Sequence, residues 1–253
     1  MSDVALRPRS ATELVDAAFQ LYRREPLQFI IGFGIVYIPW MVLAEALGLN
    51  NPRSFPPVPN VVIGVFGVFV VYLLTGVVTV LTNDLYFDRA PDLGRAFRAV
   101  VASVVPLALT MIVGGGALII GFVIGLVSFM VPFFYVLAHF FAVKQAVLIE
   151  GAGMGAALRR SGALSKGYKK HILSTIIIVF LLYLALVLGA GFFTGFIPSL
   201  LVKRAISTIV TTLVYPIFDI TETLLYYDIR IRKEGFDIEY LASGALEKDA
   251  VAT

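Results

Sequence analysis

The chain contains no cysteine. That excludes disulfides, thiolate metal ligands and cysteine nucleophiles, and it leaves the redox compartment unread. Histidine is nearly as scarce. The two present, His139 and His171, fall at different expected depths, and neither stands in the His and carboxylate grouping that a metal-dependent hydrolase needs. No P-loop, no Gly-x-Ser-x-Gly elbow, no His-Glu-x-x-His and no dinucleotide fingerprint occurs. Neither enzymatic chemistry nor a cofactor is therefore expected. Charge is sparse too, at 15% Asp, Glu, Lys and Arg, against about a quarter in ordinary soluble domains.

Apolar side chains fill the space that charge leaves. They make up 59% of the 253 residues, and the mean hydropathy is +0.91. A water-soluble fold of this size keeps too much surface wet to hide that many. A bilayer solvates them instead. The fold class expected is an all-α polytopic membrane protein of about six transmembrane helices, with short cytoplasmic interfacial helices. One integral membrane domain accounts for residues 1–253: a cytoplasmic amphipathic arm over 1–26, a six-span bundle over 27–227 and a cytoplasmic tail over 228–253. Acidic and basic residues alternate in the arm, which is unlike a cleavable signal.

A hydrocarbon core of about 30 Å takes roughly 20 helical residues to cross. The first span covers 27–47 and the second 61–82. The connector over 50–60 holds Pro52, Pro56, Pro57 and Pro59 and is expected to be non-helical. The apolar run over 100–149 would make a single helix about 75 Å long. It must fold back, with Gly121, Gly125, Ser128 and Pro132 marking the turn between spans at 101–124 and 131–149. The last two spans cover 172–191 and 206–227, and residues 192–201 are apolar enough to lie at the interface. Gly121-x-x-x-Gly125 and Gly191-x-x-x-Gly195 both have the spacing that lets helices approach closely.

Positive charge sets the expected orientation. With the N-terminus inside, seventeen of the twenty basic residues fall on the cytoplasmic side, and only Arg53, Lys203 and Arg204 fall outside. The net charge of +3 therefore reads as topology rather than as nucleic-acid binding. A faint threefold repeat accompanies the spans. Asp16-Ala17-Ala18-Phe19, Gly94-Arg95-Ala96-Phe97 and Gly155-Ala156-Ala157-Leu158 each precede an odd-numbered span. The first of these segments carries a capping box, Ser10 with Glu13. Helices are expected over 10–24 and 154–165, lying on the inner membrane surface.

Two sets of residues stand out as candidate sites. Ionisable groups at span depth are costly and face a partner, a cavity or the interface. They are Glu45, Asp84, His139, Lys144, Asp219 and Glu222. Glu45 and Asp84 lie near span ends, where they can reach water. Lys144, Asp219 and Glu222 are deeper, at matched depth on the fourth and sixth spans, so a Lys144 contact with either carboxylate is expected. With His139 they form the candidate intramembrane cluster. The second set is the basic inner surface, Arg159, Arg160, Lys166, Lys169, Lys170, Arg230, Arg232 and Lys233, which suits lipid headgroups or serves topology alone.

Several of these segments carry a family resemblance. Glu150-Gly151, Ala157-Leu158-Arg159-Arg160-Ser161 and Leu164-Ser165-Lys166-Gly167 resemble a bacterial multi-pass family, the membrane domain associated with glycerophosphoryl diester phosphodiesterases. The run over 224–237, Leu-Leu-Tyr-Tyr-Asp-Ile-Arg-Ile-Arg-Lys-Glu-Gly-Phe-Asp, is similar to that family's closing signature, and residues 6–39 are similar to its opening. The resemblance implies a six-span bacterial inner-membrane protein working beside a partner, without the soluble phosphodiesterase barrel. Two functions stay open. One is a non-enzymatic scaffold or accessory subunit touching phospholipid and another membrane protein or a second copy. The other is a transporter or channel with the Lys144, Asp219 and Glu222 region inside its conduit. A lipid-processing enzyme is a weaker third.

Overall fold

The computed structural model describes residues 7–47, 57–236 and 238, and its regular structure there is entirely α-helical. The order is α1 (Ala11–Arg24), α2 (Pro26–Ala46), α3 (Pro57–Tyr86), α4 (Leu93–Ala102), α5 (Val104–Gly125), α6 (Val131–His139), α7 (Val143–Ile149), α8 (Met154–Ser165), α9 (Lys169–Thr194) and α10 (Leu200–Glu234). Six segments are long and apolar enough to cross a membrane: α2, α3, α5, the α6–α7 pair, α9 and α10. The chain is an all-α polytopic membrane protein.

Three short helices each lead into a pair of long ones. The first, α1, starts where the sequence marks it. Ser10 Oγ accepts the Glu13 backbone N–H at 3.3 Å, and Glu13 accepts the Ser10 N–H at 2.7 Å. Arg7 donates to the same carboxylate at 2.7 Å. That bond and the Ser10 donor together hold Glu13 well below the usual carboxylate range, at about 2. The arm does not rest its apolar face on lipid, as the sequence suggests. Leu14, Val15, Ala18 and Leu21 are buried, and α1 lies against α9 and α10. Packing against neighbouring helices removes the same apolar stripe from water. In the same way α4 buries Ala96 and Val100 and packs on α3, and α8 packs on α7.

The long helices depart from expectation in three places. First, α3 begins at Pro57, so residues 57–60 of the expected proline-rich connector are helical, while 50–56 lie outside the described residues. Prolines 57 and 59 fall in the first turn, where the backbone needs no N–H donors and a fixed φ suits the helix. Second, α10 does not stop at residue 227. It runs on to Glu234 and closes on Gly235 in the left-handed conformation (φ 65°), a position glycine suits. At 35 residues it measures about 52 Å, well beyond the hydrocarbon thickness. Residues 228–234 are therefore helix rather than tail.

Third, the span over 131–149 is interrupted. Residues 140–142 are not helical, and α6 and α7 flank them. The turn before α6 does lie where the glycines and Pro132 mark it. A Cβ on Gly121 would stand 3.3 Å from the Phe133 Cα, and one on Gly125 would stand 3.1 Å from the Met130 Cα. This pair lets α5 and α6 come together. Gly191 has open space around its Cβ direction, so the second such pair brings no helices together.

Candidate functional site

The interruption of the fourth span is built from backbone groups that find partners elsewhere. Non-helical backbone at membrane depth survives only where its polar groups are satisfied. Ser161 of α8 meets that need. Its hydroxyl donates to the His139 carbonyl at 2.7 Å and accepts the Ala142 N–H at 3.1 Å. Ser161 itself is fully buried. One serine thus bonds both sides of the break, and Lys144 follows two residues later.

Lys144 reaches both acidic groups of α10. Its Nζ is ion-paired with Asp219 and lies 2.9 Å from a Glu222 oxygen. The two carboxylates are three residues apart, so they share one helix face. Thr79 of α3 donates its hydroxyl to the second Asp219 oxygen at 3.3 Å. Gln145 offers its amide nitrogen to Glu222 at 3.4 Å, and its own carbonyl oxygen is buried without a partner. The side chains of Lys144 and Asp219 are 7% and 1% exposed, while Glu222 keeps 22%. That residual exposure matters because it opens onto a cavity.

The cavity measures about 240 Å³. Tyr72 and Thr75 of α3, Phe140 and Phe141 of the break, and Tyr215 and Phe218 of α10 form its walls, and the three charged groups line it as well. Along α10, Asp219 lies 15 residues from Arg204 and 11 from Arg230, about 22 Å and 16 Å at 1.5 Å per residue. The charges therefore sit well inside the span rather than at either end.

His139 is not part of this group. It stacks on Tyr135 at 6.3 Å, and its ring lies over Gly162 of α8, where a Cβ would come within 2.6 Å. The helical break sends it to the α8 side and Lys144 to the α10 side. Asp84 does not reach water either. It is fully buried and ion-paired with Arg95 of α4, with Arg89 at 3.7 Å. Glu45 is ion-paired with Arg204.

The basic set expected at the inner surface divides in two. Arg160 holds Glu150 at 2.8 Å and is also ion-paired with Glu234. These two carboxylates push its guanidinium above its ordinary value, Glu234 foremost. Arg230 pairs with Glu234 at 3.1 Å and Arg232 with Asp228 at 2.8 Å. Lys233 donates to the Ala163 and Lys166 carbonyls, the latter at 3.1 Å. Arg160 and Lys233 clamp α8 and α10 together, whereas Arg230 and Arg232 pair with carboxylates one turn away on α10 itself. Lys169 sits over the Tyr135 ring at 3.1 Å. Arg159, Lys166 and Lys170 make neither an ion pair nor a ring contact among the described residues, and all three are exposed.

Sequence reasoning overlooked a second polar group, centred on Asp228. The Arg9 backbone N–H donates to it at 2.6 Å, His171 Nε2 lies at 2.8 Å and Arg232 Nε at 2.8 Å. Arg232 also donates to the Arg9 carbonyl at 2.6 Å. Three parts of the chain, the approach to α1, the start of α9 and the end of α10, meet on one carboxylate. The only sequence signal for it is an acidic residue within an otherwise basic run. Comparison of the chain with family models, curated protein sequences and solved structures finds no match.

Proposed function

We propose that this chain is a non-enzymatic transporter or channel for a small cationic solute, with Lys144, Asp219 and Glu222 as its working site. The observation that carries the reading is the cavity of about 240 Å³ that opens onto the three charges inside the span. With all three ionised, the group carries one net negative charge, since Lys144 balances only one carboxylate. An uncompensated charge at this depth costs a few kcal/mol, and a visiting cation relieves it. A scaffold needs the ion pair for packing but needs no space beside it. The bacterial inner membrane and cytoplasmic termini belong to the same proposal. Their support is the distribution of basic residues and the resemblance of the 150–167 and 224–237 segments.

The absence of cysteine makes the test direct, because any introduced thiol is the only one. Val71→Cys on the cavity wall is treated in native membranes with a cationic and with an anionic methanethiosulfonate reagent. The expected result is modification by the cationic reagent, several-fold faster than by the anionic one, with the preference lost in Glu222→Gln. Buried Val78→Cys serves as the unreactive control and turn residue Ser128→Cys as the reactive one. If Val71→Cys resists both reagents while Ser128→Cys reacts, the cavity is dry and the chain is a scaffold.

A further inference from the structure

At the end of α10 that carries Ser199, the bundle opens into two clefts, one on each side of the helix. The cleft between α9 and α10 has a volume of about 570 Å³ and is lined by Leu188, Gly191 and Phe192 on one side and Ile206 and Val210 on the other. Between α2 and α10 a second cleft has a volume of about 450 Å³, with Ile38, Met41 and Val42 facing Leu201 and Ile209. Both clefts are open at the surface of the bundle, and their apolar walls suit hydrocarbon from the surrounding bilayer. Arg204 lines both clefts, and Lys203 stands beside it at the mouth of the larger one. Arg204 is ion-paired with Glu45, and Lys203 makes no ion pair among the described residues. Among the described residues the mouth therefore carries one net positive charge, beside two apolar slots on either side of a single helix.

We infer that these clefts bind one anionic phospholipid, its phosphate on Lys203 and Arg204 and one acyl chain in each slot. The shape and the charge argue together. A transmembrane helix from another protein would fill one slot and leave the cation unpaired. Two hydrocarbon chains joined at one phosphate match two apolar slots joined at one basic mouth. Bilayer hydrocarbon satisfies the slot walls without any polar partner, and phosphate suits the paired ammonium and guanidinium. This site is separate from the Lys144 cavity: the two share no lining residue. It can fail without affecting the transport reading.

Native mass spectrometry of the delipidated full chain, titrated with phosphatidylglycerol and with phosphatidylcholine, tests the site. One phosphatidylglycerol per chain is expected to bind first and more tightly than phosphatidylcholine. Lys203→Ala should weaken that first event about fivefold, the effect of one basic residue at a membrane surface. Ser207→Phe, which narrows the larger slot and leaves the charges in place, should weaken it for both lipids. Excess inorganic phosphate should not displace the lipid, since it fills neither slot. The inference is overturned if Lys203→Ala and Ser207→Phe both retain wild-type affinity, if inorganic phosphate competes fully, or if the lipid-free chain associates through these clefts and lipid does not dissociate it.

Discussion

Ser161 closes the gap in the fourth span by donating to His139 on one side of the break while accepting from Ala142 on the other, at 2.7 Å and 3.1 Å. Removing the hydroxyl strands a carbonyl and an N–H inside the protein. A buried polar group left without its partner costs about 1–3 kcal/mol. Ser161→Ala should therefore lower the thermal midpoint in detergent clearly. Ser174→Ala, which removes an exposed hydroxyl bonded only to the His171 carbonyl, should leave it nearly unchanged. Equal midpoints for the two variants would show that Ser161 does not hold the break together.

The residue after Ser161 has a different constraint. A methyl group on Gly162 would lie 2.6 Å from His139 Cε1 and 2.8 Å from Nε2, so the ring must move before α8 can seat. Gly162→Ala is expected to destabilise by about 1–3 kcal/mol, the usual cost of overpacking. Combining it with His139→Ala should recover part of that loss, because the clash disappears with the ring. Chemical denaturation in mild detergent measures both, and additive losses would show that the two residues do not touch.

For Lys144 the prediction is about coupling rather than size. Breaking one side of a buried ion pair costs about 3–5 kcal/mol because the remaining charge is uncompensated. Lys144→Met should lower stability by an amount in that range, and Asp219→Asn by less, because Glu222 still balances the ammonium. The double variant should lose markedly less than the sum, and Glu222→Gln should couple to Lys144→Met more weakly, since its side chain is 22% exposed. This result is expected for a transporter or a scaffold alike, so it tests the geometry apart from the function.

Asp228 ties the approach to α1 onto the bundle through the Arg9 N–H, with His171 and Arg232 on its other oxygen. Asp228→Asn keeps the shape and loses the charge that holds three donors. Hydrogen exchange over residues 11–24 is expected to speed up in this variant, while exchange in α3 and α5 stays as it was. Unchanged protection of 11–24 would mean that Leu14, Ala18 and Leu21 hold α1 in place unaided.

Much of the fold was legible because it depends on local pattern. Hydropathy and length marked the six apolar segments, and Ser10 with Glu13 marked the start of α1 within one residue. The fold-back at Gly121 to Pro132 was forced by a run too long to cross once. The break at 140–142 left no such trace. Phe140, Phe141 and Ala142 are apolar and contain no glycine or proline, and the residue that makes the break tolerable lies 19 positions later in the chain.

The candidate site divides along the same line. By itself the sequence determined that this chain lives in a bilayer, and that Lys144, Asp219 and Glu222 would be costly there, because both follow from composition and span length. Equal depth along two spans made a Lys144 contact expected. Only the tertiary structure decided that Lys144 touches both carboxylates, that Thr79 and Gln145 join them, that His139 turns to α8 and that a cavity remains beside the charges. The same holds for Arg160 and Lys233, whose partners Glu234 and the Ala163 carbonyl are brought near by packing, whereas Arg230 and Arg232 find carboxylates four residues away on their own helix. Charge and hydropathy are properties of a residue and its neighbours in sequence. Pairing and empty space are properties of helices that meet, and the residues that meet here are up to 223 positions apart.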